Sequence, residues 1–544
     1  MSLPQFSRQG SLFSVNILLG NQFADDDRYR LFAERIHPLL VAARPQMEAA
    51  YCLDNGRPGI EPVLLLGVSI LQFMERCPDR QAIGHLKYHL GWKLALGREL
   101  LLEAFDPTSL VTFRQRLIGH EQAKVAFDAV LDGLREAGLI PKRGRRRLDS
   151  THVLGLVARL SALELLRETT RLALLELAAA TGLERPAFWD TLWERYVENK
   201  LDYRMEETAF KVKQLQAGED MSLLLAWAKA HPEAAAGKQM QLLARVLDEN
   251  FQTVEGKLEL HPQPAGAVKN PHDPDATWST KGHDKKKDWI GYKVQVEETI
   301  PDQPSKEGEP TAAFITAIET QAAIGGERAG LAQVTVAEQA SGLEPPDERQ
   351  VDAGYVSAQL LKEAAEQGRE LIGPAPESPG SNKTFKSDAF NVEIENRQAT
   401  CPAGQCSSNC SRLEEKATGN VSYRFEWGSQ CRGCPLRDQC VARGQDHRTL
   451  VVGEHHDHLQ KRRREQKTEA FQQRMRHRNA IEGTHSELVR GHGLRKARYR
   501  GLPKQRLQNY FIGAAANAKR WIARLRWQMG QALKSVTDCV EAAI

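Results

Sequence analysis

Apolar residues recur every three or four positions through the first quarter of the chain, the spacing of a helix with one buried face. Ile70 and Phe73 are three positions apart, and Phe113 and Leu117 are four apart. The pattern predicts a helical domain at 28–140, preceded by a loose N-terminal arm at 1–27. A second such stretch, rich in Leu, Ala and Glu, predicts an all-helical insertion at 156–264.

Shorter apolar runs bounded by turn residues predict strands elsewhere in the chain. These strands are Leu148–Leu154, Trp289–Glu297, Ala312–Glu319, Arg349–Tyr355 and Leu371–Pro374. Helices are expected at 327–340, from Ser357, and as one long helix from about Lys461 to Val489. The order of strand, hairpin, helix, strand, helix, strand and late helix is the order that a ribonuclease H-like core requires.

The predicted fold is therefore α/β, with a mixed sheet, helices on both faces and two insertions. The ribonuclease H-like catalytic core would be built from 141–155, 265–375 and 455–500. A Cys-rich and irregular insertion is expected at 376–454, and a C-terminal helical segment at 501–544.

Charge distribution says more about partners than total charge does. The chain has 544 residues and a net charge of only +4. Yet Arg490–Arg506 holds seven Lys or Arg and no acid, and Pro141–Arg147 is equally one-sided. Such local stripes fit a protein that binds a polyanion on one face, although a single stripe is more often plain solvated surface. No apolar run is long enough to span a membrane, and no secretory signal is evident.

Three acidic residues stand where a two-metal phosphoryl-transfer site would need them. Asp149 lies inside a predicted strand, where a carboxylate is unusual, and Asp352 lies at the end of another. Glu482 follows Arg478 by four residues, so a continuous helix would present both on one face. Hard oxygen ligands from separate elements can hold paired Mg²⁺ ions, but spacing alone does not select these three acids.

Several stretches resemble the DDE transposases of bacterial insertion sequences, most closely the eleven-eighty-two-type group. They are Leu148–Val153, Asp273–Ala276, Ser279–Lys281, Trp289–Val294, Val351–Val356 and Ile481–Gly501. The resemblance covers about 60–520 and implies that Asp149, Asp352 and Glu482 form the catalytic triad. It also implies two Mg²⁺ or Mn²⁺ per active site, nicking of transposon ends, and attack of the freed 3′-OH on target DNA.

The resemblance is imperfect on the last predicted helix. Related transposases carry a Tyr, Arg, Glu and Lys signature there, of which Arg478 and Glu482 match the Arg and the Glu. Met475 stands at the position of the Tyr and Val489 at that of the Lys. Arg490, one residue later, is the expected substitute for the Lys. Glu487 is a rival acid that does not match the signature.

Basic residues are the expected contacts with double-stranded DNA, both terminal inverted repeats and target. Arg478 would clamp a phosphate near the scissile bond. Phosphates farther away would be held by Arg490, Arg495, Lys496, Arg498 and Arg500. In the N-terminal domain, Arg114 and Arg116 are expected to project from a helix that begins near Asp106 and enters a DNA groove. The equally supported alternative is a scaffold helix with surface arginines.

Six of the nine cysteines lie between Cys401 and Cys440. Without an export signal, such clustering favours a metal site over disulfides. Cys431 and Cys434 have the two-residue spacing of a zinc knuckle. Similar transposases carry comparable cysteines, which makes Cys401 and Cys440 the first choice for the remaining ligands. Cys406 and Cys410 could substitute or stay free, and reduced thiols without zinc are an equally supported alternative.

The predicted function is DNA transposition in the bacterial cytoplasm, at the nucleoid, by a homo-oligomer that forms a dimer on DNA. Two alternatives remain open at this point. One is a ribonuclease H-like nuclease without strand transfer, and the other is a non-catalytic DNA-binding protein derived from a transposase.

Overall fold

The computed structural model describes residues 2–4, 11–52, 56, 58–180, 182–200, 206–281, 287–303, 308–378, 384–416 and 419–543. Within these residues, no helix combines the length and apolar character that crossing a membrane would require.

The first part of the chain is helical. Its helices are α1 (Val15–Leu19), α2 (Arg28–Leu31), α3 (His37–Ala42), α4 (Arg44–Glu48), α5 (Pro62–Met74), α6 (Asp79–Tyr88), α7 (Leu90–Ala95), α8 (Thr108–Gly119) and α9 (Val125–Glu136). Ser14 caps α1, and the fully buried Val15 donates its N–H to Arg98 O at 3.0 Å. The prediction of a loose arm is therefore wrong for the described residues 11–27.

Strand β1 (Arg145–Leu154) leads into the first insertion, which has its own apolar core. Its helices are α10 (Ala162–Ala179), α11 (Trp189–Trp193), α12 (Glu207–Ala228), α13 (Pro232–Ala235) and α14 (Lys238–Asn250). A hairpin of β2 (Phe251–Val254) and β3 (Lys257–Leu260) follows, so the prediction of an all-helical insertion is wrong there. Glu255 and Gly256 both have positive φ, 50° and 77°, the conformation that a tight two-residue hairpin turn requires.

The central sheet is mixed, as predicted. The elements that complete it and flank it are β4 (Thr277–Lys281), β5 (Lys287–Thr299), β6 (Ile315–Ala322), α15 (Glu327–Ala340), β7 (Glu348–Gln350), α16 (Ala358–Glu366) and β8 (Glu370–Ile372). Strand β5 pairs antiparallel with β1 on one edge and with β4 and β6 on the other. On its other side β1 runs parallel to β7, which runs parallel to β8. This order is compatible with a ribonuclease H-like core.

The second insertion is more regular than its sequence suggested. It contains β9 (Asn391–Glu393), β10 (Gln398–Thr400), β11 (Asn409–Glu414), β12 (Val421–Glu426), α17 (Arg437–Cys440) and β13 (Thr449–Gly453). Strands β11, β12 and β13 form an antiparallel sheet, so the prediction of an irregular segment is wrong. Along β12, Tyr423 and Phe425 are buried and alternate with more exposed residues, a period-two pattern that the sequence analysis overlooked.

Four helices follow: α18 (His456–Glu465), α19 (Glu469–Arg478), α20 (Ile481–His492) and α21 (Leu502–Ala543). The first three replace the single long helix that was predicted. Thr468 interrupts it by accepting a hydrogen bond from Phe471 N at 3.3 Å, which begins a new helix. Helix α20 ends at Gly493, whose φ of 79° suits glycine.

One apolar core unites the two ends of the chain with the sheet. It contains Phe73 of α5, Phe127 of α9, Ile318 of β6 and Phe511 of α21, all almost fully buried. The rings of Phe73 and Phe511 stack with centroids 5.9 Å apart. The N-terminal helices therefore share their core with the sheet and with α21.

Candidate active site

Two of the predicted carboxylates lie near the ends of neighbouring parallel strands: Asp149 is on β1, and Asp352 follows the end of β7. Arg147 of β1 pairs in register with Gln350 of β7, and Asp149 and Asp352 each follow two residues later. Asp149 Oδ1 accepts a hydrogen bond from Ser150 N, and Asp352 Oδ1 accepts one from Gly354 N, both at 2.8 Å. The two side chains thus meet at the end of the β1–β7 pairing.

The guanidinium of Arg478, at the end of α19, is the cation that joins these two carboxylates. Its Nη2 lies 3.2 Å from Asp149 Oδ2 and 3.9 Å from Asp352 Oδ2. Burial raises the pKa of Asp352 and the charge of Asp149 raises it further, while the Gly354 N–H and Arg478 oppose the shift. The carboxylates repel each other, and a cation between them relieves that repulsion.

Glu482 lies in the first turn of α20 with an exposed side chain. It is separated from Arg478 by a turn at Asn479 and Ala480, so the prediction that both lie on one continuous helix is wrong. Among the described residues, no three His, Cys, Asp or Glu side chains are already arranged to hold one metal ion. The joint role of Glu482 with Asp149 and Asp352 stays a prediction.

A buried ionic network fixes the helices that carry Arg478 and Glu482. Arg147, two residues before Asp149, pairs with Glu298 of β5 at 2.6 Å and donates to His477 O at 2.8 Å. Glu298 also accepts from Thr484 of α20, at 2.7 Å, and from Arg520 of α21, at 2.8 Å. We call this set of five residues the lower network: Arg147, Glu298, His477, Thr484 and Arg520. It ties α19 and α20 to the strand of Asp149.

Glu487, the rival acid, belongs to this buried structure. Arg520 donates to its carboxylate at 2.7 and 2.9 Å. Burial alone would raise the pKa of Glu487, but His492 and Arg520 outweigh it and lower that pKa to about 2. Glu487 therefore acts as a structural partner of α21.

Some of the basic residues expected at the DNA are exposed and others serve the fold. Arg490, Lys496 and Arg500 are exposed. Arg495 donates to His152 O at 2.7 Å, and Arg498 donates to Cys77 O at 3.1 Å. These two guanidiniums hold the segment after α20 against β1 and the N-terminal helices.

Two expectations about surface arginines are wrong. Arg114 is only 5% exposed and pairs with Asp79 at 2.7 Å, so it does not project from α8. Arg116 is half-buried, with its guanidinium 4.6 Å from the centre of the Tyr51 ring. In the basic run Pro141–Arg147, Arg146 and Arg147, which lie on β1, are also buried in ion pairs.

The sequence analysis missed a charged pair beside the aspartates. Lys293 of β5 contacts Glu327, the first residue of α15, at 2.8 Å. A side chain added at Gly354 would meet Glu327 Cγ at 3.2 Å, which places that acid next to Asp352. The alternation of polar and apolar residues along β5 predicted that Lys293 lies in a strand. Nothing in the sequence distinguished it from a surface lysine.

Two family models match the chain. A model described as Transposase DDE domain matches residues 400–522, which include Arg478 and Glu482. A model described as Transposase domain (DUF772) matches residues 18–116, which include most of the N-terminal helices. By these two matches the chain is similar to the DDE transposases of insertion sequences. Neither model singles out a group within them, so the eleven-eighty-two-type resemblance stays a prediction. No curated protein matches the chain.

Proposed function

We propose that the chain cleaves the ends of an insertion sequence and transfers them to target DNA, with Asp149, Asp352 and Glu482 as catalytic carboxylates. The observation that carries the proposal is the meeting of Asp149 and Asp352 around one cationic group, Arg478, shortly before the first turn of α20, which carries Glu482. The transposase domains at both ends of the sequence support the reaction class.

The donor set fits a divalent cation. Burial, together with the neighbouring charge of Asp149, raises the pKa of Asp352, and both carboxylates already share the positive charge of Arg478. Mg²⁺ or Mn²⁺ prefers such oxygen ligands, and Asp149, Asp352 and Glu482 would hold two ions. When bound, the ions would activate the attacking oxygen and neutralise the leaving oxygen.

The remaining residues would bind and orient DNA. Arg478, whose charge the bound ions would replace at the carboxylates, would bind a phosphate at the scissile bond. The exposed Arg490, Lys496 and Arg500 follow α20 along the chain and would hold flanking phosphates. The N-terminal helices at 28–140 would recognise the terminal repeats, and a dimer would pair the two ends.

The test uses purified full-length protein and a plasmid that carries the DNA flanking the coding sequence. Asp149→Asn, Asp352→Asn and Glu482→Gln should each abolish Mg²⁺- or Mn²⁺-dependent cleavage while DNA binding persists. Matched controls are Asp347→Asn, before β7, and Glu469→Gln, on α19. Both remove one exposed acid close in sequence to a catalytic one and should leave cleavage intact.

The products separate the proposal from its alternatives. Cleaved ends joined to a supercoiled target support transposition, whereas cleavage without joined products supports a nuclease. Binding without any cleavage under all metal conditions supports a non-catalytic DNA-binding protein. A fully active Glu482→Gln variant would remove that residue from the triad.

A further inference from the structure

Four cysteines of the second insertion line a single small cavity. They are Cys401, Cys431, Cys434 and Cys440, and the cavity measures about 20 Å³. A volume of this order holds one water-sized sphere. Cys406 and Cys410 do not line the cavity, although Cys406 is much closer to Cys401 in sequence than the other three are. The fold therefore selects four of the six clustered thiols.

Two hydrogen-bonded turns bring these thiols together. In the first, Cys401 N donates to Gln405 O at 2.9 Å and Gly404 N donates to Cys401 O at 2.8 Å. The Trp427 indole N–H donates to the same Gln405 oxygen at 2.9 Å, which ties this turn to the segment just before Cys431. The second turn carries Cys431 and Cys434 and leads directly into α17, where Cys440 lies.

The surroundings of the cavity suit a negatively charged cluster of sulfurs. The Arg448 backbone N–H donates to Cys431 Sγ at 3.5 Å, and its guanidinium donates to Cys440 O at 3.1 Å. Arg437 also borders the cavity and donates to Cys431 O at 3.1 Å. Two guanidiniums therefore stand beside four thiols within a largely apolar lining.

We propose that Cys401, Cys431, Cys434 and Cys440 bind one structural Zn²⁺ as thiolates. Binding releases four thiol protons and leaves a complex of charge −2, which Arg437 and Arg448 offset. As the side chains are placed, no three of the described ligand-type groups surround one ion. The sulfurs would close on the cavity by side-chain rotation, to the Zn–S distance of about 2.3 Å.

The ion would supply what the insertion lacks in apolar core. Among the described residues of this insertion, the core cluster has only eleven buried members, and two of them are Cys431 and Cys440. Zinc would cross-link the turn after β10, the turn before α17 and α17 itself. Small units with little core often depend on such a metal for their stability. The site is separate from the proposed catalytic carboxylates, so each proposal can fail without the other.

The test is metal analysis of the untagged full-length protein, followed by replacement of its metal with Co²⁺. We expect stoichiometric zinc and, in the cobalt form, strong thiolate-to-cobalt charge-transfer absorption with the d–d bands of tetrahedral coordination. Cys431→Ser combined with Cys434→Ser should lose both. The matched control, Cys406→Ser with Cys410→Ser, should keep both at the level of the unmodified chain.

If the first double variant does not fold, experiments on the unmodified protein still test the zinc proposal. Titration of its thiols with a mercurial should release zinc in proportion, and removal of zinc should expose 384–454 to protease until Zn²⁺, but not Mg²⁺, is restored. Protein prepared without chelators that holds no zinc, contains iron instead, or shows a disulfide among the four cysteines would overturn the proposal. Loss of metal in the Cys406 and Cys410 variant would overturn the ligand assignment.

Discussion

Arg146 and Arg147 are neighbours on β1, yet their guanidiniums enter opposite faces of the central sheet because strand side chains alternate. Arg147 joins the lower network with Glu298. Arg146 pairs with Glu338 of α15 at 2.7 Å. Glu338 and Glu297 also share Arg349, each at 2.6 Å. We call the four residues on the second face the upper network: Arg146, Glu297, Glu338 and Arg349.

The two networks fix different helices to the sheet. The upper network fixes α15 to the sheet and contains two buried glutamates beside two arginines. The lower network fixes the helices that carry Arg478 and Glu482, and α21 supplies its Arg520. Similar buried chemistry therefore fixes α15 on one face and the helices that carry Arg478 and Glu482 on the other, and substitutions can separate the two roles.

The largest effect is expected from Arg520→Met. This change leaves the buried carboxylate of Glu298 and the partly buried carboxylate of Glu487 without their shared guanidinium. Removing one partner of a buried ion pair typically costs about 3–5 kcal/mol, and we expect a loss at the upper end of this range. Denaturant unfolding measures it, and Arg524→Met, on the more exposed next turn of α21, is the control. A loss below about 1 kcal/mol would show that the lower network contributes little.

Arg146→Met and Arg147→Met form a matched pair on one strand. Each should lower the free energy of unfolding by about 3 kcal/mol. Arg147→Met leaves the buried Glu298 carboxylate short of a cation, and Arg146→Met does the same to the buried pair of Glu297 and Glu338. Only Arg147→Met should also reduce DNA cleavage per folded molecule, since Arg147 holds His477 O next to Arg478. Cleavage rates are compared at a temperature where both variants are fully folded. Equal cleavage by the two variants would contradict a positioning role for the lower network.

The two faces should respond to pH in opposite directions. Burial raises the pKa of Glu338 from 4.5 to about 8, and the nearby Glu297 adds to that shift. The contribution of Glu338 to the free energy of unfolding is therefore complete below pH 4.5 and is lost as the pH rises towards 8. The pKa of Glu487 is instead lowered from 4.5 to about 2, so its effect is present above pH 4.5 and is lost on acidification.

Glu338→Gln and Glu487→Gln separate these contributions. As the pH rises from 4.5 to 8, the free energy of unfolding of the unmodified chain should fall relative to that of Glu338→Gln. The advantage of the unmodified chain over Glu487→Gln should shrink as the pH falls from 4.5 towards 2. Thermal unfolding across both ranges measures each curve. Parallel curves for the two variants would show that the faces do not differ in this way.

The smallest effects are expected at two threonines. Thr484 of α20 donates to Glu298, and Thr335 of α15 accepts from Arg349 at 3.0 Å. Within the networks, Thr335→Val removes this one hydrogen bond, whereas Thr484→Val removes two, because Arg520 Nη2 also donates to Thr484 Oγ1 at 2.7 Å. Each lost hydrogen bond should cost about 1 kcal/mol. Thr484→Val should also slow cleavage severalfold, whereas Thr335→Val should not. Unfolding and cleavage assays on the same preparations provide the comparison.

Much of the central sheet could be predicted because its strands have the patterns that burial imposes. Helix α15 begins and ends at the predicted residues, 327 and 340. The single helix predicted for 461–489 failed because its apolar periodicity continues through Thr468, where one side-chain hydrogen bond stops a helix and begins another. Such local competition is decided by a single contact, which a pattern averaged over many residues does not reveal.

The candidate site was predicted through strand ends and resemblance, and the residues that support it were not. Arg146 and Arg147 were interpreted as part of a DNA-facing run because basic residues are usually exposed. The missing information was their partner strand, where Glu297 and Glu298 interrupt an apolar sequence. Strand pairing places Arg147 opposite Glu298, and pairing between distant segments cannot be read from either segment alone.

The sharing of one apolar core by α5, α9, β6 and α21 has a consequence for biosynthesis. A ribosome makes Phe73 and Phe127 hundreds of residues before Phe511. The apolar surfaces of α5 and α9 that pack against α21 therefore stay exposed until α21 is synthesised. Contacts so distant in sequence slow folding, and exposed apolar surface in the meantime favours aggregation. Nascent chains halted before residue 502 should therefore bind chaperones that recognise apolar segments, and release should follow synthesis of α21.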